Sequence, residues 1–161
     1  MKTDFYTLGV FGLSSDAFFE KITSNKIDTF IDIRARRAVR GSEYVFVNSN
    51  RLQLKLKELG INYIHIPELS PGEEIRAIQN EFDKASNTTI RHRVKLDARF
   101  VDVFKKEVLA KYNFSDLFDE LNKLNSKRAL FFCVESEARA CHRSIVTDKL
   151  EADYAVKVVH L

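Results

Sequence analysis

Ala129-Leu-Phe-Phe-Cys-Val134, Glu135-Ser-Glu-Ala-Arg-Ala140 and Cys141-His-Arg-Ser-Ile-Val146 follow one another without a break, and the contrast between them decides the fold. The first six residues are an apolar run too short for a helix and rich in strand-formers, which predicts a buried parallel strand. The next six are polar and take the chain out of the core. Cys141-His142-Arg143 then opens a second ordered segment, a helix that turns Ile145, Val146 and Leu150 inward. Strand, short polar loop and helix start is the arrangement by which open α/β folds present chemistry. Two cysteines, one histidine, two glutamates and two arginines fall within residues 133–143, the densest group of reactive side chains in the chain.

Outward from that stretch, the same alternation repeats. Residues 5–10 predict a first strand, closed by Gly9-Val10-Phe11-Gly12, whose glycines permit a tight turn with backbone close to whatever lies above. Ser14 is placed to cap a helix through Phe18, Phe19 and Ile22, with Leu13 and Phe18 as its staple. A second strand over 29–33 runs into Arg34-Ala-Arg-Arg-Ala-Val-Arg40, four arginines in seven residues. Residues 41–50 read as loop with an edge strand at 44–47. A helix follows over 50–59, although Leu52, Leu54 and Leu56 also alternate as in a strand. Residues 61–66 predict a third strand and 73–86 a helix with Ile75, Ile78 and Phe82 on one face. Residues 87–96 carry no periodicity, and Arg91-His-Arg-Val-Lys95 is expected to be basic and exposed. Two helices over 97–112 and 114–124, the first buried along Phe100, Phe104 and Val108, precede the 129–134 strand. A last strand is expected over 156–161.

The totals set bounds. A chain of 161 residues is read as one α/β domain, 1–161, with interior enough for a proper core. Its 45% hydrophobic and 30% charged residues are ordinary for a globular protein. No apolar run approaches the roughly 20 residues of a membrane span, and the first residues lack a signal peptide's apolar stretch. Two cysteines argue against a secreted disulfide scaffold, so the expectation is a cytoplasmic protein without membrane attachment. A net charge of +3 does not by itself argue for nucleic acid.

Strands alternating with helices predict a three-layer α/β fold, a mainly parallel sheet of about five strands with helices on both faces. Such a sheet puts the loops after its strands on one edge. That edge would collect Gly9, Gly12, Asp32, Arg34, Glu68 and the 133–143 segment. In chain order, Thr7-Leu-Gly-Val-Phe-Gly12, Ile31-Asp-Ile-Arg34, Tyr63-Ile-His-Ile-Pro-Glu-Leu69 and Cys133-Val-Glu-x5-Cys-His-Arg143 also resemble the domain of unknown function family 488. The resemblance covers nearly the whole length and implies a fold and a site, with no established reaction. Val10 stands where many members have a polar or aromatic residue, and Ala138 where a proline is usual.

Free cysteine is among the most buried residue types, so Cys133 reads as a structural strand-end cysteine. Cys141 differs: helix-start N–H groups and the neighbouring His142 and Arg143 favour its thiolate. A disulfide between the two is a minor option in a reducing compartment. Structural zinc sites space paired cysteines two to four residues apart. The seven-residue gap here leads to an expectation of no metal and no cofactor. The Cys-x5-Arg spacing of Cys133 and Arg139 matches phosphatase and sulfurtransferase loops. The intervening Glu135 and Glu137 and the absence of glycine make it accidental. Arg34 and Arg143 are the expected anion clamps, because arginine forks and helix N-termini suit phosphate. Glu135 and Glu68 would orient or move protons, Cys141-His142 would be the reactive pair, and Asp32 reads best as a counter-ion to an arginine. The function this predicts is binding of a phosphate-bearing small molecule, such as a nucleotide, or a nucleic-acid end, with or without turnover. The alternatives are a non-catalytic binding module and a thiol-based redox or sulfur-handling protein working through Cys141.

Overall fold

The computed structural model describes residues 2–161. In chain order the elements are β1 (Asp4–Leu8), α1 (Ser15–Ser24), β2 (Thr29–Asp32), α2 (Ser49–Glu58), β3 (Asn62–His65), α3 (Glu73–Ala85), α4 (Ala98–Phe104), α5 (Phe114–Lys123), β4 (Arg128–Phe132), α6 (His142–Tyr154) and β5 (Val158–His160). The five strands make one sheet in the order β3-β2-β4-β1-β5, and every pairing is parallel. The predicted three-layer α/β architecture is the observed one.

β4 lies at the centre, and its alternation separates two cores. Leu130 and Phe132 join Phe18, Ile22, Leu52 and Leu56 under α1 and α2. Ala129, Phe131 and Cys133 join residues of α3 to α6 on the opposite face. A one-residue slip of β4 would exchange these two sets, so the register is strongly fixed. Here Asp32 sits level with Phe132 and His65. Backbone pairing continues past the strand ends, with Ile33 N–H donating to Phe132 O and Cys133 N–H to Leu8 O. The chain therefore enters its loops at one common edge.

Three local expectations are corrected, at residues 45–47, after α4 and in α3, and the helix expected over 50–59 is observed. Residues 45–47 form a 3₁₀ turn, not an edge strand; buried Tyr44 just before it accepts a hydrogen bond from Gly12 N–H at 2.9 Å. In α2 the helical period wins over the alternation: Leu52 and Leu56 are buried and Leu54 is 64% exposed. The helix after Asp97 becomes a π turn over Lys105–Leu109. The wider turn advances the inward face by one residue, so Leu109 is buried where Val108 was expected. In α3 the buried positions are Ile75, Gln79 and Asp83, an i, i+4, i+8 line that places two polar side chains inside.

Candidate functional site

The strand ends of β2 and β4 and the start of α6 build the site. Asp32 is wholly buried and accepts from Arg34 Nε at 2.9 Å and Arg34 Nη2 at 2.8 Å, a two-pronged pairing. Tyr63 Oη also donates to it at 2.8 Å. Burial, with the Asp32 charge alongside, pushes the Tyr63 phenol up to about 12. Arg34 Nη2 reaches Val47 O as well, and the guanidinium lies over the Phe132 ring at 4.7 Å. Its remaining nitrogen, Nη1, is buried without a partner. A buried donor left unmade in this way costs free energy.

Cys133, Cys141 and His142 meet beside it, their donor atoms all within 4.8 Å of one another. The seven intervening residues form a loop that returns α6 to the end of β4. His142 Nδ1 stands 4.0 Å from Cys133 Sγ and 3.9 Å from Cys141 Sγ. Its Nε2 lies 3.3 Å from Ile33 O, a carbonyl that can only accept, so Nε2 carries the proton. Contact with Cys141, then burial, raises the Cys133 thiol well above its ordinary value. Burial resists ionisation of Cys141, yet Cys133, His142 and Arg143 outweigh it and hold that thiol well below. Burial also opposes the imidazolium, and Cys141 beside it raises His142 all the same. Burial pushes the Glu135 carboxyl up to about 7, with Cys141 adding to the push.

Cys141 Sγ has no outward face. The residue is wholly buried and its sulfur accepts from Arg143 N–H at 3.5 Å, capping α6. Cys133, which reads in sequence as the inert cysteine, lines the cavity described next together with Glu135 and His142.

That cavity, ≈ 320 Å³, opens at the carboxyl edge of the sheet. Arg34, Arg36, Arg40, Arg76 and Arg93 line it, with Glu135 as the one carboxylate, and Phe11, Ile90 and Phe100 supply apolar wall. Arg93 is not exposed as its basic neighbourhood predicts. It is buried on Asp83, with Nη2 to Oδ2 at 2.6 Å and Nε to Oδ2 at 2.9 Å, and reaches Glu135 Oε1 at 3.4 Å. Gln79 completes the network, donating to Asp83 at 2.8 Å and accepting from Asp97 N–H at 2.8 Å. Sequence reading missed Arg93, Asp83 and Gln79. The signal available was a polar pair at i, i+4 in line with Ile75.

Of the sequence-predicted residues, Arg34, Glu135 and His142 come to one cavity. Glu68 does not: it is exposed and borders a different groove with Lys111 and Tyr112, because a 3₁₀ turn at Pro67–Leu69 carries it away from the strand end. Arg143 borders a different groove from the one Arg34 lines. Its guanidinium donates inward to Glu135 O and, at 3.0 Å, to Ser136 O, so it holds the loop backbone in place. Gly9 lies against that same loop, where an added Cβ would overlap Glu135 O. Gly12 has φ +87°, in the region that favours glycine, and ends the β1 turn. Among the described residues no helix is long and apolar enough to cross a membrane.

An all-parallel sheet with arginine, carboxylate, thiols and imidazole at its carboxyl edge defines a three-layer α/β protein with a polar strand-end cavity. The family described as "Domain of unknown function DUF488" matches residues 14–150, and the chain belongs to it. No curated protein and no solved structure matches the chain.

Proposed function

We propose that the strand-end cavity binds a phosphate-bearing ligand of nucleotide size and that Glu135 moves a proton on it. The single observation carrying this reading is Arg34, which lines the cavity and whose Nη1 is a buried cationic donor without a partner. Arg36, Arg40 and Arg76 add positive charge around the same space. Arginine forks suit phosphate oxygens, and the apolar wall suits an organic body such as a base. A cavity of ≈ 320 Å³ falls at the small end of ligand pockets and favours a mononucleotide over a duplex end. Glu135 is buried, and its Oε2 has no partner. A carboxylate repels an anion, so its place there calls for a role other than binding.

The test begins with a thermal-shift screen of nucleotides, oligonucleotides and inorganic phosphate. Arg76→Ala removes a half-buried guanidinium that rests on Ser70 Oγ at 3.0 Å and lines the cavity. Loss of one charge-assisted contact, worth about 1.5–3 kcal/mol, should weaken binding of the hit about 10- to 150-fold. Glu135→Gln should keep or improve binding while abolishing turnover. A hit that binds and is never converted by the wild type would make the protein a binding module. No hit among phosphates, with Arg76→Ala unchanged throughout, would sink the reading.

A further inference from the structure

The thiol cluster is not explained by an anion site. We propose that Cys133 Sγ, Cys141 Sγ and His142 Nδ1 form a three-ligand site for a zinc-class divalent cation, whose fourth coordination position faces the cavity beside Glu135. Four observations converge on it. The three donor atoms lie within 4.8 Å of one another, close enough to surround one ion after small side-chain rotations. Zinc–sulfur bonds of about 2.3 Å and zinc–nitrogen bonds of about 2.0–2.1 Å put tetrahedral ligand atoms about 3.5–3.8 Å apart, so the cluster must contract slightly to hold the ion. His142 presents Nδ1 to both sulfurs because Nε2 is committed to Ile33 O. That is the arrangement by which a backbone carbonyl fixes a ligating imidazole's tautomer. Both sulfurs share His142 Nδ1 as a partner, at 4.0 and 3.9 Å. Finally, Glu135 Oε2 is buried and unpartnered in the residue that follows Cys133-Val134.

The set of ligands matters for chemistry. Two thiolates and an imidazole select a soft or borderline cation over magnesium or calcium, which take oxygen. Three protein ligands leave one position open, the pattern of catalytic zinc, whereas structural zinc is closed by four. Cys133, Glu135 and His142 all line the cavity, so the open position faces the space where a ligand would sit. Such an ion supplies Lewis acidity toward a phosphoryl oxygen or a bound water, with Glu135 as the nearest carboxylate. The seven-residue loop that argues against zinc in sequence is what brings α6 back onto β4. The site does not depend on the anion reading, and its test uses no phosphate.

The experiment uses the full chain, reduced and stripped with a chelator. Cobalt(II) is titrated while the near-ultraviolet sulfur-to-cobalt charge-transfer band and the visible d–d bands are recorded, and zinc is then added to displace it. About one equivalent should bind with the intense visible bands of tetrahedral geometry. Zinc should protect both thiols from a disulfide reagent and raise the Tm. Cys133→Ser and Cys141→Ser should each weaken binding by more than the roughly 10- to 100-fold that outer-shell changes cost. Glu135→Gln should retain the charge-transfer band. If a cysteine variant fails to fold, the wild-type stoichiometry, spectrum and thiol protection still decide. Absence of the charge-transfer band in the reduced wild type would overturn the proposal. So would a Cys133–Cys141 disulfide that forms in air equally fast with and without zinc.

Discussion

At the scale of single residues, the chain's polar edge depends on groups that hold backbone as much as on groups that face a ligand. Gly9 is the plainest case. Its missing Cβ leaves room for Glu135 O, which Arg143 grips from the other side. Gly9→Ala would push backbone against backbone, with no side-chain end to give way. The expected cost is about 1–3 kcal/mol, read as a lower urea midpoint, together with a displaced 135–136 loop. An unchanged midpoint would mean that the loop relaxes freely. The sequence marked Gly9 as a place of close approach without naming its neighbour. It marked Arg143 as an anion clamp because position at a helix start says nothing about which way a long side chain runs. Here the guanidinium turns to two carbonyls that only the folded loop brings near.

At the scale of elements, helix and strand periods were legible wherever apolar residues set them. β4, α1, α5 and α6 follow directly from their patterns. The failure in α3 has a plain physical origin, since it concerns polar groups satisfied by distant partners. α3 buries Gln79 and Asp83 only because residues 87–97 fold back over it and deliver Arg93 and the Asp97 N–H. No local pattern marks that segment. The buried Arg93–Asp83 pair should therefore be what fastens it. A double-mutant cycle with Asp83→Ala and Arg93→Ala should show coupling of about 0.5–3 kcal/mol. Each single variant leaves one charge buried without its partner and should be costly. Stability losses from urea unfolding that simply add would contradict the role assigned to the pair. The π turn after α4 is a failure of another kind, because the sequence shows an apolar stripe but not the extra residue in one of its turns.

At the scale of the whole molecule, a parallel sheet gathers what the chain scatters. Arg34 follows β2, Cys133 and Glu135 follow β4, and His142 opens α6; all reach one cavity because every strand points the same way. That much was predictable from strand order alone. Glu68 shows the limit of the same argument. The end of β3 does share the edge, yet a turn of three residues carries its side chain to another groove. The cavity's charge is the central claim, and a crystal grown with selenate tests it most directly, because selenium can be located by its anomalous signal. The account predicts a selenium site in the cavity, with a selenate oxygen about 2.7–3.2 Å from Arg34 Nη1. A crystal in which selenate occupies other sites while the cavity holds only water, with Arg34 Nη1 bonded to one of those waters, would contradict it.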